Sequence, residues 1–321
     1  MDKMKTVRAR PFPLLCIIGP TAVGKTRISI KVAKENSGEI ISGDSMQIYR
    51  YMDIGTAKPS MEEREGVPHH LVDIIDPEET FSVADFQKAV FKLIPEIVSR
   101  GHLPVIAGGT GLYLKAIIDQ YDFGEGKANW KLREKLKGQA DKYGKEMLYQ
   151  RLKKVDPTAA EKIHPNDLKR IIRGLEVYLI TGRPISSQKK LPPEQRQSLN
   201  AAIIGLDMNR KRLYERINQR AEKMIEQGLV REVRWLLEKG YSPELVSMQG
   251  LGYQHMIKYI QGLYTMDEAV ELLKRDTRRL AKRQLTLFKR DNRIIWLNTD
   301  NFSCEEEIIK KICSLAAGEL N

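Results

Sequence analysis

The sequence predicts an α/β protein, a core of parallel strands alternating with helices and interrupted by a helical insertion. Three observations carry that prediction. Short apolar runs at residues 14–18, 39–42, 103–107 and 201–206 have the length and texture of strands buried on both faces. Stretches with 3.6-residue apolar spacing lie between them, as strand–helix–strand units require. The first run opens directly into Gly19-Pro20-Thr21-Ala22-Val23-Gly24-Lys25-Thr26, a G-x-x-x-x-G-K-[ST] loop set between a strand and a helix.

In such a loop the two glycines let the backbone curl so that successive N–H groups point at phosphate oxygens, and the following helix adds the positive end of its dipole. Lys25 supplies a point charge and Thr26 a hydroxyl for Mg²⁺. With glycine at its average usage of about 7%, the pattern arises by chance in a chain of this length on the order of 1% of the time. The loop indicates a diphosphate or triphosphate ligand. It does not choose between nucleotide binding, hydrolysis and group transfer.

Residues 27–35 read as the covering helix, with Ile28, Val32 and Ala33 inward, and the strand at 39–42 ends at Gly43-Asp44-Ser45-Met46-Gln47. Ligands of open α/β sheets sit beyond the carboxyl ends of the strands, so Asp44 is delivered to the same edge as the phosphate loop. A helix cap, a group holding magnesium's waters and a catalytic base are all open for it on the residues alone. Residues 51–59 form a Gly- and Pro-punctuated loop. His69 and His70 cannot chelate one metal from an extended segment, where neighbours point to opposite faces, and are assigned a structural role. Residues 81–100 predict an amphipathic helix capped by Ser82, with Val83, Phe86, Val90, Leu93 and Ile97 on its apolar face. The strand at 103–107 is followed by Gly108-Gly109-Thr110, where a motor ATPase would usually show an acid. These glycines point to close approach of backbone to ligand, with the Thr110 hydroxyl free to hydrogen-bond.

From Gly124-Glu125-Gly126-Lys127 the texture turns polar and helical, through 131–137 and 145–154. A further helix begins after Pro165-Asn166 and ends at Gly182, with Leu168, Ile171, Ile172 and Leu175 inward and Lys169, Arg170 and Arg173 grouped on another side. A polar loop at 181–197 leads back to strand. An insertion over residues 124–198 is therefore expected, dividing the core into 1–123 and 199–321. In the helix at 213–227 Arg216 and Arg220 share a face; most such arginines are solvated, but a pair facing the phosphate loop would clamp a diphosphate. The helix at 267–289 lines up Ala269, Leu273, Leu280, Gln284 and Leu287, and surrounds them with Lys274, Arg275, Arg278, Arg279, Lys282 and Arg283, a candidate contact for an RNA backbone. A last strand at 294–297 and a closing helix at 305–317 complete the pattern.

The chain has 321 residues, 41% of them hydrophobic, and a net charge of +12. That length suits about two domains, and the charge suggests a polyanionic partner, nucleic acid before membrane. No apolar run reaches spanning length. Lys3, Lys5, Arg8 and Arg10 precede an apolar run too short for a signal peptide, so a cytoplasmic protein is expected. Cys16, Cys304 and Cys313, without a C-x-x-C, support neither a disulfide framework nor a zinc module.

Several motifs in order resemble the tRNA dimethylallyltransferase family, also called tRNA isopentenyltransferase. They are residues 19–26, 44–49, 52–59, 68–71, 108–113, 170–181, 216–224, 250–253 and 282–284, and they cover most of the chain. The resemblance implies a P-loop kinase-like α/β core with a helical insertion. The activity it implies is transfer of a dimethylallyl group from its diphosphate to the exocyclic amine of the adenine just 3′ of a tRNA anticodon. Gly19 to Thr26 then bind the prenyl diphosphate, with Mg²⁺ at Thr26. Asp44 corresponds to the family's general base, Thr110 to the threonine lining the reaction channel, and Arg220 to the arginine near the diphosphate. Asp44, Ser45, Met46, Gln47, Thr110, Arg133, Lys169, Arg170, Ile171, Ile172, Arg173, Gln249, Gly250, Leu251, Gly252, Tyr253 and Gln254 fall at positions that touch tRNA. Without a C-terminal zinc finger the pattern is of the bacterial type, and a monomer is expected. The competing classes are a small-molecule kinase, which would share the loop and Asp44, and an RNA-binding protein with a regulatory nucleotide site.

Overall fold

The computed structural model describes residues 10–123, 129–187 and 190–320. Lys3, Lys5 and Arg8, and the start of the expected insertion at Gly124 to Lys127, lie outside them. Among the described residues six parallel strands form one sheet: β1 (Phe12–Ile18), β2 (Gly38–Ser42), β3 (His69–His70), β4 (Leu103–Gly108), β5 (Leu199–Asp207) and β6 (Ile295–Asn298). Their order across the sheet is β3-β2-β4-β1-β5-β6. β1 is central, with Leu15 opposite Val105 of β4 and Ala202 of β5.

The sheet is covered on both sides, which is why its strands read as unbroken apolar runs. Leu15 and Ile17 face one side, packed with Ile28, Val32 and Ala33 of α1 (Lys25–Glu35) and with Ile308, Ile309 and Ile312 of α12 (Glu305–Leu320). Leu14, Cys16 and Ile18 face the other, against Phe86, Val90, Ile94 and Ile97 of α2 (Val83–Ser99) and Tyr113, Leu114 and Ile117 of α3 (Gly111–Asp119). Ser82 caps α2 as expected: its hydroxyl accepts from the Asp85 N–H, and the Asp85 carboxylate accepts from the Ser82 N–H.

After β5 come α8 (Arg210–Glu226), α9 (Leu229–Glu238), α10 (Leu251–Ile260) and α11 (Met266–Phe288). They pack about a separate cluster of Leu229, Val233, Tyr253, Met256, Ala269 and Leu273, joined by Ile48, Tyr49 and Met52 from the segment after β2. The sequence pattern predicts α8 and α11 but neither α9 nor α10. Both are only 10 residues long, and glycines at 228, 240, 250 and 262 flank them, which reads as loop when the partner helices are unknown.

The chain divides into two compact units, one made of the chain up to Ile118 and from Gln197 onward, the other of Asp119–Arg196. The second unit holds α4 (Trp130–Tyr143), α5 (Lys145–Val155), α6 (Pro157–Lys162) and α7 (Leu168–Thr181) around Leu136, Ala140, Leu148, Leu152, Ile171 and Leu175. Gly182, at φ 67°, ends α7 in the left-handed conformation.

His69 and His70 turn apart, as an extended pair must. His69 Nδ1 hydrogen-bonds the Val67 carbonyl at 2.8 Å, whereas His70 Nε2 reaches Glu39 Oε2 at 2.6 Å. Glu39 is 3% exposed and also accepts from Arg100 Nε and Nη2 (3.0 and 2.7 Å) and His102 Nδ1 (2.7 Å). The Arg100 guanidinium, aided by His70 and His102, holds this carboxyl down at about 2 against burial, which would raise it. Its folded value lies below the ordinary 4.5, so its contribution to stability is complete above pH 4.5 and is lost as pH falls toward 2. Glu39→Gln should cost roughly 3 kcal/mol at neutral pH. Urea unfolding at several pH values should show the gap to the parent closing below pH 4.5; parallel stability curves down to pH 2.5, about half a unit above the native value, would remove the ion-pair account.

Candidate active site

The phosphate loop leaves β1 and enters α1 with Gly24 at φ 105°, a conformation that a side chain strains and that starts the helix at Lys25. Beside it the ends of β2 and β4 are laced together. The Gly43 N–H donates to the Ala107 carbonyl at 2.8 Å, the Thr110 N–H to the Gly43 carbonyl at 3.2 Å, and the Ser45 N–H to Thr110 Oγ1 at 3.2 Å. A Cβ on Gly108 would sit 2.3 Å from the Gly43 backbone, and one on Gly109 would sit 2.5 Å from Gln284 Nε2. The glycine pair thus admits protein neighbours at close range, and both glycines also line the cavity at this edge. Thr110 Oγ1 accepts from the Ser45 N–H, so this hydroxyl braces the loop that bears Asp44.

A cavity of about 340 Å³ opens at this edge, lined among others by Thr21, Gly24, Lys25, Thr26, Asp44, Gln47, Arg216 and Arg220. Its cations come from elements almost 200 residues apart, since α8 carries both arginines on the face suggested by their four-residue spacing. Burial, then the nearby Arg220 charge, pushes Lys25 down from 10.5 to about 7, with Asp44 opposing them. Arg220 is lowered by burial and by Arg216, again opposed by Asp44. Lys25 Nζ meanwhile donates to the Pro20 carbonyl at 2.6 Å, a bond internal to the loop. Asp44 is the one carboxylate on this wall among the described residues. Such a cavity carries an unspent demand for negative charge.

The Thr26 hydroxyl shares the wall with Lys25, but no cluster of three His, Cys, Asp or Glu able to hold a metal occurs among the described residues. That donor set fits a magnesium ion coordinated chiefly by phosphate oxygens and water, with Thr26 as its protein ligand.

A second cavity, about 140 Å³, shares Thr21, Asp44 and Arg220 with the first and is otherwise mostly apolar, walled by Met46, Ile217, Met224, Leu251, Leu273 and Leu280. Gly250, Gly252 and Tyr253 also line it, and the Tyr253 ring is fully buried, with a Cβ on Gly55 only 2.5 Å away from it. Asp44 Oδ1 accepts from the Met46 N–H at 2.9 Å, which fixes the carboxylate where the two cavities meet and leaves Oδ2 outside that bond.

Two residues that hold this arrangement were not assigned a role from sequence. Gln284 of α11 accepts from the Thr21 N–H and donates to the Gly109 carbonyl; the visible signal was a polar side chain on an apolar stripe. Glu232 of α9 accepts from the N–H groups of Asp53, Ile54 and Gly55 (2.9, 2.8 and 3.1 Å) and from the Tyr253 hydroxyl (2.7 Å). A glutamate in a stretch flanked by Gly228 and Gly240 and not marked as helix gives no sign of that.

The basic residues are less available than their number suggests. On α11, Lys274 pairs with Glu222 and Glu271, Arg275 and Arg279 with Asp276, and Arg278 with Asn218. Lys282 and Arg283, and Arg278 with its neutral Asn218 partner, have no acidic partner among the described residues, so the proposed RNA contact narrows to the part of the helix from Arg278 to Arg283. In the second unit, Glu176 is fully buried and accepts from Arg133 Nε and Nη2 (2.8 and 2.9 Å) and from Arg173 Nη1 (2.6 Å). Ile171 and Ile172 belong to that unit's core at 0% and 8% exposure, so their side chains fill that core and do not present themselves to RNA. Of residues 169–173 only Lys169, Arg170 and Arg173 carry polar heads.

Comparison with known proteins places this geometry. The family model described as IPP transferase matches residues 47–291. The chain is 51% identical over 303 residues to the tRNA dimethylallyltransferase of Acetivibrio thermocellus, covering 93% of this chain and 96% of that one. It is 53% identical over 303 residues to that of Carboxydothermus hydrogenoformans, covering 94% and 97%. Among solved structures it is similar to the tRNA isopentenylpyrophosphate transferase of Bacillus halodurans, at 46% identity and TM-score 0.72 over 96% of this chain and 97% of that one. It is also similar to a eukaryotic dimethylallyltransferase acting on tRNA, at 28% identity and TM-score 0.74 over 92% and 77%. With half of its residues shared over nearly its whole length, the chain belongs to the IPP transferase family, the family of the bacterial tRNA dimethylallyltransferases.

Proposed function

We propose that the paired cavities carry the family's reaction: transfer of the dimethylallyl group from dimethylallyl diphosphate to the exocyclic amine of the adenosine 3′ of a tRNA anticodon, releasing diphosphate. The observation that supports it most is the sharing of Asp44 and Arg220 between a cationic cavity and an apolar one. Diphosphate in the first brings the allylic carbon to the junction, where the second admits the acceptor amine beside Asp44.

An adenine amine is a weak nucleophile because its lone pair is delocalised into the ring, so the demand falls on ionising the allylic carbon–oxygen bond. Negative charge then grows on the diphosphate, where Lys25, Arg216, Arg220 and the loop amides stabilise it. Magnesium bound at Thr26 would neutralise further diphosphate charge. As the carbon–nitrogen bond forms, the amine proton passes to Asp44. A base in a single-stranded anticodon loop leaves its stack cheaply, which suits a site that must enclose it. Lys282, Arg283, Lys169, Arg170, and the Glu176-held Arg133 and Arg173 are the cations we assign to the RNA backbone, in a reaction placed in the cytoplasm. No helix among the described residues is long and apolar enough to cross a membrane.

Purified protein with Mg²⁺, unmodified tRNA and dimethylallyl diphosphate should add one dimethylallyl mass to an anticodon-loop adenosine without ATP, and Lys25→Ala should abolish the gain; nucleoside mass spectrometry reads both. ATP-dependent phosphorylation of a small molecule instead would make the chain a kinase. Asp44→Ala should lower single-turnover transfer by roughly 10² to 10⁴ with donor affinity nearly unchanged, and an unaltered rate would remove the base assignment. Lys25 in the free protein is half neutral near pH 7, and bound diphosphate must raise its pKa. Donor binding should therefore take up protons and weaken as pH rises above 7. Calorimetry at about pH 8 in two buffers of different ionisation enthalpy measures that uptake; none at all would contradict a depressed Lys25.

A further inference from the structure

We propose that Gln284 is a positioning residue for this reaction, a two-handed amide that clamps the phosphate loop to the end of β4. The inference rests on the transferase reading above. Its Oε1 accepts from the Thr21 N–H at 2.9 Å, and its Nε2 donates to the Gly109 carbonyl at 3.0 Å. The amide supplies one acceptor and one donor to two loops, and no other side chain of its size satisfies both. Glycine at 109 is the matching half of the contact, since any Cβ there would come within 2.5 Å of Nε2.

The clamp lies where the site's parts must agree. Thr21 lines both cavities, so its backbone sits at the passage between diphosphate and acceptor. Gly109 precedes Thr110, which holds Ser45 and thereby the loop bearing Asp44. One side chain therefore registers the leaving-group cradle against the base. It is carried by α11, which packs on α8, the source of Arg220, and on α10, whose first residues line the second cavity. Thr21 N–H is consumed by this bond, so the amide shapes the cradle without offering that donor to phosphate. A register error on the order of 1 Å between reacting groups costs about 10²-fold in rate, which sets the scale of the expected effect.

Gln284→Met keeps the volume and removes both hydrogen bonds; Gln284→Glu keeps the acceptor for Thr21 and removes the donor to Gly109. With both substrates saturating, single-turnover transfer should fall 10- to 100-fold in the first variant and at least 10-fold in the second. tRNA affinity should stay within about twofold, and donor affinity within about fivefold, a split that general loosening of the fold would not give. Amide exchange at Thr21, followed by NMR on the full-length protein, should speed up in Gln284→Met while α1 amides keep their protection. Gly109→Ala pushes on the same amide from the opposite side and should reproduce the rate loss. Parent-like transfer in Gln284→Met, or a loss in which both affinities and the α1 amides change alongside, would overturn the clamp. If Gln284→Met does not fold, Gln284→Glu and Gly109→Ala decide by the same criteria. A parent protein that adds no dimethylallyl group to tRNA would instead refute the transferase reading, and the Thr21 exchange measurement would still test the clamp.

Discussion

Cations gathered away from water repel one another, and the site depends on holding Lys25 and Arg220 together in spite of it. Among the described residues their charge is opposed chiefly by Asp44, on the cavity wall, with Glu63 acting on Arg220. The cost of that arrangement is borne by the packing around it. α1 is pinned to the sheet by Ile28, Val32 and Ala33, and α8 by Leu213 and Ile217 in the same apolar cluster. A site organised this way is poised for an anion before the anion arrives, which is the preorganisation that a reaction generating diphosphate needs. Lys25, drawn down to about 7 and resting on the Pro20 carbonyl, is the group whose charge responds most to the ligand.

Close backbone contact does the remaining alignment. Parallel pairing of β2 with β4 sets Ser42 beside Ala107, and the chain beyond them stays in register because Gly108 lets the Gly43 backbone approach. Asp44 thus comes to the phosphate loop through hydrogen bonds of the main chain, with Thr110 and Met46 fixing its last turn. On the other flank Glu232 gathers three successive N–H groups of residues 53–55 and the Tyr253 hydroxyl, so that the wall of the apolar cavity is held by a single carboxylate. These are short-range, directional interactions, and each replaces a conformational freedom that would blur the meeting point of the two cavities.

The basic balance of the chain and its capacity to bind a polyanion are different quantities. Lys274, which faces Glu222 and Glu271, and Arg275 and Arg279, which face Asp276, have their charge compensated, and exchanging those partners for phosphate gains little. Arg133 and Arg173 differ in kind. Buried Glu176 fixes two guanidinium groups at once, which limits their rotamers and orients them, at the expense of part of their free charge.

The amino-acid sequence by itself determined five of the six strands found among the described residues, the phosphate loop with Lys25, the caps of α2 and α7, the delivery of Asp44 to the loop's edge of the sheet and the shared face of Arg216 and Arg220. Each is written in local pattern: continuous apolar runs, a fixed glycine spacing, a Ser–Asp box, a four-residue interval. The motif resemblance added roles to those residues. What only the tertiary structure decided is which groups meet across long separations. Gln284 reaches Thr21 over 263 residues and Glu232 reaches Gly55 over 177. The glycines at 108 and 109 are spaces for Gly43 and for Gln284, Thr110 holds a loop, and Ile171 and Ile172 fill a core. Side-chain hydrogen bonding and burial depend on three-dimensional neighbours, and periodicity along a chain carries no information about a neighbour that lies on another element.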